Sequence, residues 1–263
     1  MRKPAVAGMF YPRSREELLS SVKRYLKEGK ESKLPGKLKA LIVPHAGYIY
    51  SGIVAGAGFK AVTGKYNKDN KYNKFNKYNK VILLGPSHYV YFTSASIATE
   101  DFETPLGIVK IGETKLWLKE DLIIGLKEAH IKEHCLEVEL PFLLETVKNF
   151  ELYALVLGDV DEKELAKSIK RFIDDKTLIV VSSDLSHYLD YNAAQRTDKE
   201  TIAKILIFDF SSLEACGEKA IKVLMYLAKE FNWKPYLIDY KNSGDTAGDK
   251  SRVVGYASIA YVI

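Results

Sequence analysis

The stretch LYALVLGDVDEKELAKSIKRFIDDKTLIVVSSD, residues 152–184, contains two apolar runs separated by a segment with helical periodicity. Continuous apolar runs of this length are typical of strands that are buried on both faces of a sheet. The segment between them, 161–173, is long enough to carry the chain back across the sheet. This stretch therefore predicts a strand, a helix and a second strand, and hence a parallel pair.

The same pattern occurs twice nearer the N-terminus. KALIVP at 39–44 and KVILLGP at 80–86 are short apolar runs that end at proline. The segment SGIVAGAGFKAV at 51–62 is rich in small residues, so we expect a helix that lies close to the sheet. Ser14 stands three residues before Glu17, the spacing of a capping box. The first helix follows it and presents one apolar face, made of Leu18, Val22, Tyr25 and Leu26.

The C-terminal third predicts two helices and two strands. The helices are expected at about 192–208 and 212–230, and the strands at KPYLIDY (234–240) and VVGYASIAYVI (253–263), the last of them antiparallel. None of the connections resembles an interdomain linker. We therefore predict one α/β domain over 1–263, with a central mixed, mostly parallel sheet and helices on both faces.

The composition is that of an ordinary globular protein. Of its 263 residues, 47% are hydrophobic and 28% are charged, and the net charge of +5 comes largely from lysines. Several lysines cluster in the repetitive segment at about 64–80, which we interpret as a solvated surface insertion rather than a nucleic-acid site. Two isolated cysteines, Cys135 and Cys216, are expected to be small core residues and indicate a reducing compartment. No apolar run reaches membrane-spanning length, so we expect a cytoplasmic protein that binds neither membrane nor nucleic acid.

Polar residues follow three of the predicted strands. His45 comes after the first core strand, His88 after the second, and Asp184 and His187 after the strand at 177–182. The carboxyl ends of parallel strands form one edge of an open sheet, so we expect these side chains to meet in one crevice.

Imidazoles and carboxylates with few thiolates favour a divalent transition metal such as Fe(II), and zinc also accepts these ligands. The loop NSGDTAGDKS at 242–251 offers Asp245 and Asp249 as a carboxylate ligand. Glycine, aspartate and serine are also ordinary turn residues, so a turn role for either aspartate is equally compatible with the sequence.

Six motifs in order resemble the Memo (mediator of cell motility) family, whose prokaryotic members are called AmmeMemoRadiSam system protein B. They are RKPAVAGMFYP, PHAGYIYSG, GPSHY, EHCLEVELPFL, SSDLSHY and DKSRVVGYAS. The family is similar in fold to class III extradiol ring-cleaving dioxygenases, which are non-haem Fe(II) enzymes. The resemblance extends over nearly the whole chain outside the insertion.

The resemblance implies a ligand set. His45 of PHAGY and His88 of GPSHY correspond to metal ligands of the family. Animal Memo has a cysteine as the third ligand, in the loop before the final strand, and counting back from GYAS puts Asp245 at that position. A carboxylate in place of a thiolate lowers the preference for Cu(I) and favours a divalent metal, Fe(II) first, with Zn, Mn or Cu as alternatives.

The resemblance also implies roles around the metal. His187 resembles the acid/base histidine of the dioxygenases, with Asp184 close enough to orient it. His134 and Ser87 correspond to pocket residues, and Tyr48 either lines the pocket or packs in the core. Two functions stay open: a metal-dependent redox enzyme acting on a small molecule, and a non-catalytic module that binds a peptide or protein. The family name adds a third, an accessory partner of a radical SAM protein and an AMMECR-type protein.

Overall fold

The computed structural model describes residues 1–63 and 78–263, and the predicted insertion at 64–80 falls mostly outside them. The α-helices of the described residues are α1 (Arg15–Glu28), α2 (Tyr48–Lys60), α3 (Glu128–Ile131), α4 (Leu140–Thr146), α5 (Glu162–Lys170), α6 (Tyr191–Ile207), α7 (Glu218–Glu230) and α8 (Ser243–Thr246). The strands are β1 (Leu38–Val43), β2 (Lys80–Pro86), β3 (Ala95–Ile97), β4 (Phe102–Thr104), β5 (Gly107–Val109), β6 (Ile123–Ile124), β7 (Glu151–Leu157), β8 (Thr177–Ser182), β9 (His187–Leu189), β10 (Lys234–Asn242) and β11 (Val253–Val262). Over the same residues, none of the helices has both the length and the apolar character needed to cross a bilayer.

The central sheet is mixed, as the sequence predicts. Its strand order is β10-β11-β1-β8-β2-β7-β3-β6, and β9 pairs with β11 outside this path. β1, β8, β2 and β7 run parallel to one another at the centre of the sheet. β11 and β10 on one side and β3 on the other are antiparallel to their inner neighbours.

Side chains alternate between the two faces of the sheet, and both faces are buried. Along β1, Leu41 and Val43 belong to the core that α1, α2 and α4 cover, whereas Ala40 and Ile42 belong to the core beneath α5, α6 and α7. Strands covered on both sides need apolar residues at every position, which explains the uninterrupted apolar runs. The prediction of an α/β domain with helices on both faces is confirmed.

Helices α1 and α2 follow their sequence patterns. The Ser14 side chain accepts a hydrogen bond from the Glu17 amide, and the four predicted apolar residues of α1 are buried. Helix α2 lies close to its neighbours through glycine. A Cβ at Gly56 would lie 2.5 Å from the Tyr25 carbonyl oxygen of α1, and one at Gly58 would lie 2.7 Å from the Val43 side chain of β1. Larger residues at these positions would therefore push the helix away from both surfaces.

Two predicted boundaries change. Tyr78 is buried and donates a hydrogen bond to the Leu38 carbonyl at 2.6 Å, and Lys80 begins β2, so the insertion ends before these residues. Helix α7 begins at Glu218 rather than at 212. The segment before it is held against the end of β8, because the Gly217 amide donates to Ser183 Oγ at 2.9 Å.

The parallel order brings three strand ends together. Val43 of β1 lies opposite Ser182 of β8, and Val181 of β8 lies opposite Leu84 of β2. The loops that leave these strands carry the candidate site residues, and they leave from the same edge of the sheet.

Candidate metal centre

His45 lies in a buried position just beyond β1. Its Nδ1 is 2.8 Å from Ser182 Oγ, and its Nε2 is 3.3 Å from Cys216 Sγ. The main-chain amide of His45 donates to Asp184 Oδ1 at 2.8 Å, which fixes the loop. Burial, and then the neighbouring His88, lower the pKa of the His45 ring to about 3. The ring is therefore neutral and has a lone pair available for a metal.

His88 is held by Glu133. One carboxylate oxygen of Glu133 lies 2.8 Å from His88 Nδ1, and the other accepts the His88 main-chain amide at 2.7 Å. Burial opposes ionisation of Glu133, but hydrogen bonds from His88 and the Cys135 amide outweigh it and hold the pKa of Glu133 at about 2. The Glu133 carboxylate is therefore ionised and accepts a hydrogen bond from His88 Nδ1–H, which leaves the lone pair of His88 Nε2 free.

Cys216 completes a group of three ligand atoms. One ligand atom each from His45, His88 and Cys216 lies within 4.8 Å of the other two. Burial, and then the Asp184 carboxylate, raise the pKa of the Cys216 thiol to about 12. A bound cation would lower the pKa of the thiol again, because a thiol that coordinates a metal is deprotonated. The expectation that Cys216 is a small core residue is therefore wrong: it is half-buried and faces both histidines.

His134 lies beside the same group. Its ring stacks on His88 with centroids 4.6 Å apart and lies 5.4 Å from the His45 ring. Burial, and then His45 and His88, lower the pKa of His134 to about 4. His88, Glu133 and His134 form a second group of nearby ligand atoms. Because Glu133 already accepts hydrogen bonds at both oxygens, it orients His88 in this arrangement.

A cleft of about 530 Å³ opens over the group. Its wall includes the two candidate ligands His88 and Cys216 and the exposed side chains of Tyr89 and Tyr91. Gly217 and Lys219, at the start of α7, also line it. His45 is only 2% exposed and lies beneath the cleft. A ligand in the cleft would therefore meet His88 and Cys216 first.

Asp184 holds the His45 loop. In addition to the His45 amide, it interacts with the amide of Ala46, and its pKa is raised to about 6 by burial. His187 begins β9 and is half-buried. It follows Asp184 by three positions and lies opposite Val254 of β11. The hydrogen bonds of Asp184 thus organise the loop that carries His45.

The structure does not bring Asp245 to the two histidines. Its Oδ2 accepts the Asn242 amide at 2.9 Å in a capping box that starts α8, and its Oδ1 accepts the Tyr191 hydroxyl at 2.6 Å. Asp245 belongs to neither group of candidate ligand atoms in the described chain. The carboxylate has the helix-capping role that its turn-like sequence also allowed, and Cys216 stands in its place beside the histidines.

The two remaining predicted pocket residues differ in position. Tyr48 is buried, donates to the Val138 carbonyl at 2.7 Å and packs against Phe142, so it belongs to the core. Ser87 lines the cleft, and its hydroxyl donates to the Val90 carbonyl at 2.6 Å. Ser87 therefore shapes the loop that carries His88.

Comparison with known proteins identifies the chain. The sequence model of the family described as Memo-like protein matches residues 2–260. The chain belongs to the Memo family. A MEMO1 family protein of Aquifex aeolicus is 36% identical over 281 residues, covering 100% of this chain and 99% of the relative. One from Thermoplasma acidophilum is 34% identical over 279 residues, with the same coverage. A solved structure of an uncharacterized Escherichia coli K12 protein aligns with a TM-score of 0.48 and 12% identity, over 85% of this chain and 99% of that one.

Two residues of this Memo-family site were missed from the sequence. Glu133 immediately precedes His134 in the EHCLE motif, and a carboxylate next to a motif histidine was a usable signal. The sequence predicts Cys216 as a small core residue, and it falls within the helix predicted at about 212–230. The dipeptide Cys216-Gly217 marks the actual start of α7, since glycine weakens a helix interior.

Proposed function

We propose that His45, His88 and Cys216 bind a transition metal, with iron(II) and zinc as the candidates that two imidazoles and one thiol accept, and that with iron(II) the protein is a metal-dependent redox enzyme acting on a small oxygenated or phenolic molecule. The observation that carries this proposal is the grouping of two imidazoles and one thiol within 4.8 Å beneath a cleft. Both imidazoles are engaged at Nδ1 by fixed partners, so both present Nε2.

The spacing suits one ion. An imidazole nitrogen and a thiolate sulfur that share one Zn²⁺ ion, at about 2.0 and 2.3 Å from it, would lie about 3.5 Å apart. The separation of 3.3 Å between His45 Nε2 and Cys216 Sγ is close to this value. Two imidazoles and one anionic ligand leave coordination positions open, and here they would open toward the cleft. When bound, iron(II) supplies one-electron redox chemistry and a Lewis-acidic position for a substrate oxygen.

The chain supplies groups for proton transfer. His134 is neutral at physiological pH and lies beside His88, so it can accept a hydrogen bond from a substrate hydroxyl. His187 is proposed as the acid/base residue, because it follows by three positions Asp184, whose carboxylate accepts the His45 amide. Tyr89 and Tyr91 are large side chains on the cleft wall that can pack against an aromatic substrate.

Metal analysis after anaerobic reconstitution tests the proposal. We expect about one iron per wild-type chain, and loss of most of it in His45→Ala, His88→Ala and Cys216→Ala. Asp245→Asn is the matched control and should keep its metal. Retention of metal by Cys216→Ala together with loss in Asp245→Asn would reverse the assignment. Zinc in place of iron would remove the redox part of the proposal. Oxygen uptake with catechol-type substrates then tests for a reaction.

A second candidate function is non-catalytic binding of a peptide or protein at the cleft. The observation that favours it is the exposure of Tyr89 and Tyr91, at 54% and 81%, on the cleft wall. Exposed aromatic side chains are frequent anchors in binding surfaces. Under this alternative, oxygen uptake stays at the background rate while Tyr91→Ala weakens capture of the partner. Co-purification tests whether that partner is a radical SAM protein.

A further inference from the structure

A buried hydroxyl behind the candidate metal centre contacts three groups at once. Ser182 Oγ lies 2.8 Å from His45 Nδ1, 2.7 Å from the Cys135 carbonyl oxygen and 2.9 Å from Glu139 Oε1. Ser182, His45, Cys135 and Glu139 are all at most 2% exposed. The protons of these contacts must therefore be shared within the protein.

The donor and acceptor capacity of each group decides which atom donates in each of the three contacts. A serine hydroxyl donates one hydrogen bond and accepts two. A carbonyl oxygen only accepts, so the Ser182 proton must point to Cys135. Glu139 and His45 Nδ1 must then each carry a proton and donate it to Ser182 Oγ. This is the one assignment that makes all three contacts hydrogen bonds, whereas an ionised Glu139 would leave the Cys135 carbonyl facing a lone pair.

The surroundings of Glu139 also favour a protonated carboxyl group. Burial, together with the nearby Asp184 carboxylate, disfavours its ionised form more strongly than the Ser182 hydroxyl favours it, and within residues 1–63 and 78–263 no cation pairs with it. Glu137, two residues earlier and equally buried, differs: it pairs with the Arg2 guanidinium and accepts hydrogen bonds from the Tyr11 hydroxyl and two main-chain amides. A buried carboxylate needs such partners, whereas the part of the chain that the structure describes gives the Glu139 side chain one hydroxyl, that of Ser182.

We propose that Glu139 is a neutral carboxylic acid that donates to Ser182 and acts through it as a positioning residue for His45. With Ser182 Oγ directed to Cys135, His45 can only donate from Nδ1, and its Nε2 lone pair faces Cys216 and His88. The protonation of Glu139 stands independently of any metal. Its consequence for metal binding rests on the proposed function.

Infrared spectroscopy of the metal-free protein tests the protonation. The wild-type minus Glu139→Gln difference spectrum should contain a protonated-carboxyl C=O band that shifts to lower frequency in D₂O. Carboxylate bands in its place would overturn the proposal. The exposed Glu128→Gln is the control, and its difference spectrum should contain no such band. If Glu139→Gln does not fold, Ser182→Ala serves instead, since loss of the acceptor should shift the Glu139 band to higher frequency; an unmoved band would overturn the proposal.

Metal titration tests the positioning role. Glutamine keeps an N–H donor toward Ser182, so Glu139→Gln should bind metal within about threefold of wild type. Glu139→Leu and Ser182→Ala should bind about 10- to 100-fold more weakly, the usual effect of losing a group that orients a ligand. Equal losses in the glutamine and leucine variants would overturn the role. If wild type binds no metal, the proposed function fails, while the infrared result still decides the state of Glu139.

Discussion

The two histidines of the candidate metal centre are held in the same way at Nδ1 but by different chemistry. His88 is partly open to the cleft, with 27% of its side chain exposed, and an ionised carboxylate, Glu133, holds it. His45 is 2% exposed, and the Ser182 hydroxyl holds it with Glu139 behind. The glutamates lie six positions apart in one segment, yet their protonation states differ.

This difference follows from the donors that each carboxyl group meets. Glu133 accepts three main-chain amides and one imidazole, which compensate a negative charge. Glu139 meets one hydroxyl in a fully buried position, so its charge would be uncompensated. Burial therefore does not decide the state of a carboxyl group; the number of donors around it does.

Removal of the Glu133 carboxylate should have the largest effect. Glu133→Ala leaves buried amides and the His88 ring without an acceptor, so we expect the free energy of unfolding to fall by about 3 kcal/mol or more. Metal affinity should fall by about 100-fold, because His88 is no longer oriented. Urea unfolding and metal titration measure both. The exposed Glu128→Ala is the control and should change stability by less than about 0.5 kcal/mol. Metal binding by Glu133→Ala with wild-type affinity would show that Glu133 does not orient His88 for the metal.

Stability against pH should reveal the neutral Glu139. Burial raises the pKa of Glu139 well above 4.5. Between pH 4.5 and the pKa of the folded state, the folded protein therefore holds one proton more than the unfolded protein. The contribution of Glu139 is fully present below pH 4.5 and is lost as pH rises, by about 1.4 kcal/mol per pH unit. Between pH 5 and 7, metal-free wild type should therefore lose stability relative to Glu139→Gln. Parallel urea-unfolding curves across that range would contradict it.

Weakening the support behind Glu133 should have the smallest effect. Arg2 donates to the His130 and Glu133 carbonyls and pairs with Glu137. Arg2→Lys keeps the charge but loses the fork of donors, so we expect a loss of about 1–2 kcal/mol in urea unfolding. Metal affinity should fall less than about tenfold, since His45 is unaffected. Lys3→Ala, which removes an exposed ion pair with Glu103, is the control. A larger loss of metal in Arg2→Lys than in Glu133→Ala would reverse the order.

Much of the fold could be predicted because its signals are local. The cap at Ser14, the apolar face of α1 and the apolar runs of β1, β2, β7 and β8 each depend on residues close in sequence. Memo-family membership, inferred from six ordered motifs, is confirmed by the match over residues 2–260. The convergence of His45 and His88 follows from a general rule for parallel sheets.

The third residue beside the histidines could not be predicted in this way. Counting back from the last strand selected Asp245, whose carboxylate instead caps α8. Cys216 reaches the site because Ser183 and Asp184 hold residues 216 and 217 at the end of β8. Tyr48, next to a motif histidine and glycine, turned out to pack in the core.

Local sequence pattern was sufficient for the first helix, for the loops that carry imidazole and for six strands (β1, β2, β7, β8, β10 and β11), since periodicity and capping act over a few residues. The short strands β3–β6 and β9 were not predicted. Tertiary packing alone decided that a thiol 171 positions from His45 lies 3.3 Å from its ring. Tertiary packing also decided which of two nearby buried glutamates keeps its proton. Both outcomes depend on the donors, acceptors and low-dielectric surroundings that distant segments bring together, and these exist only in the folded chain.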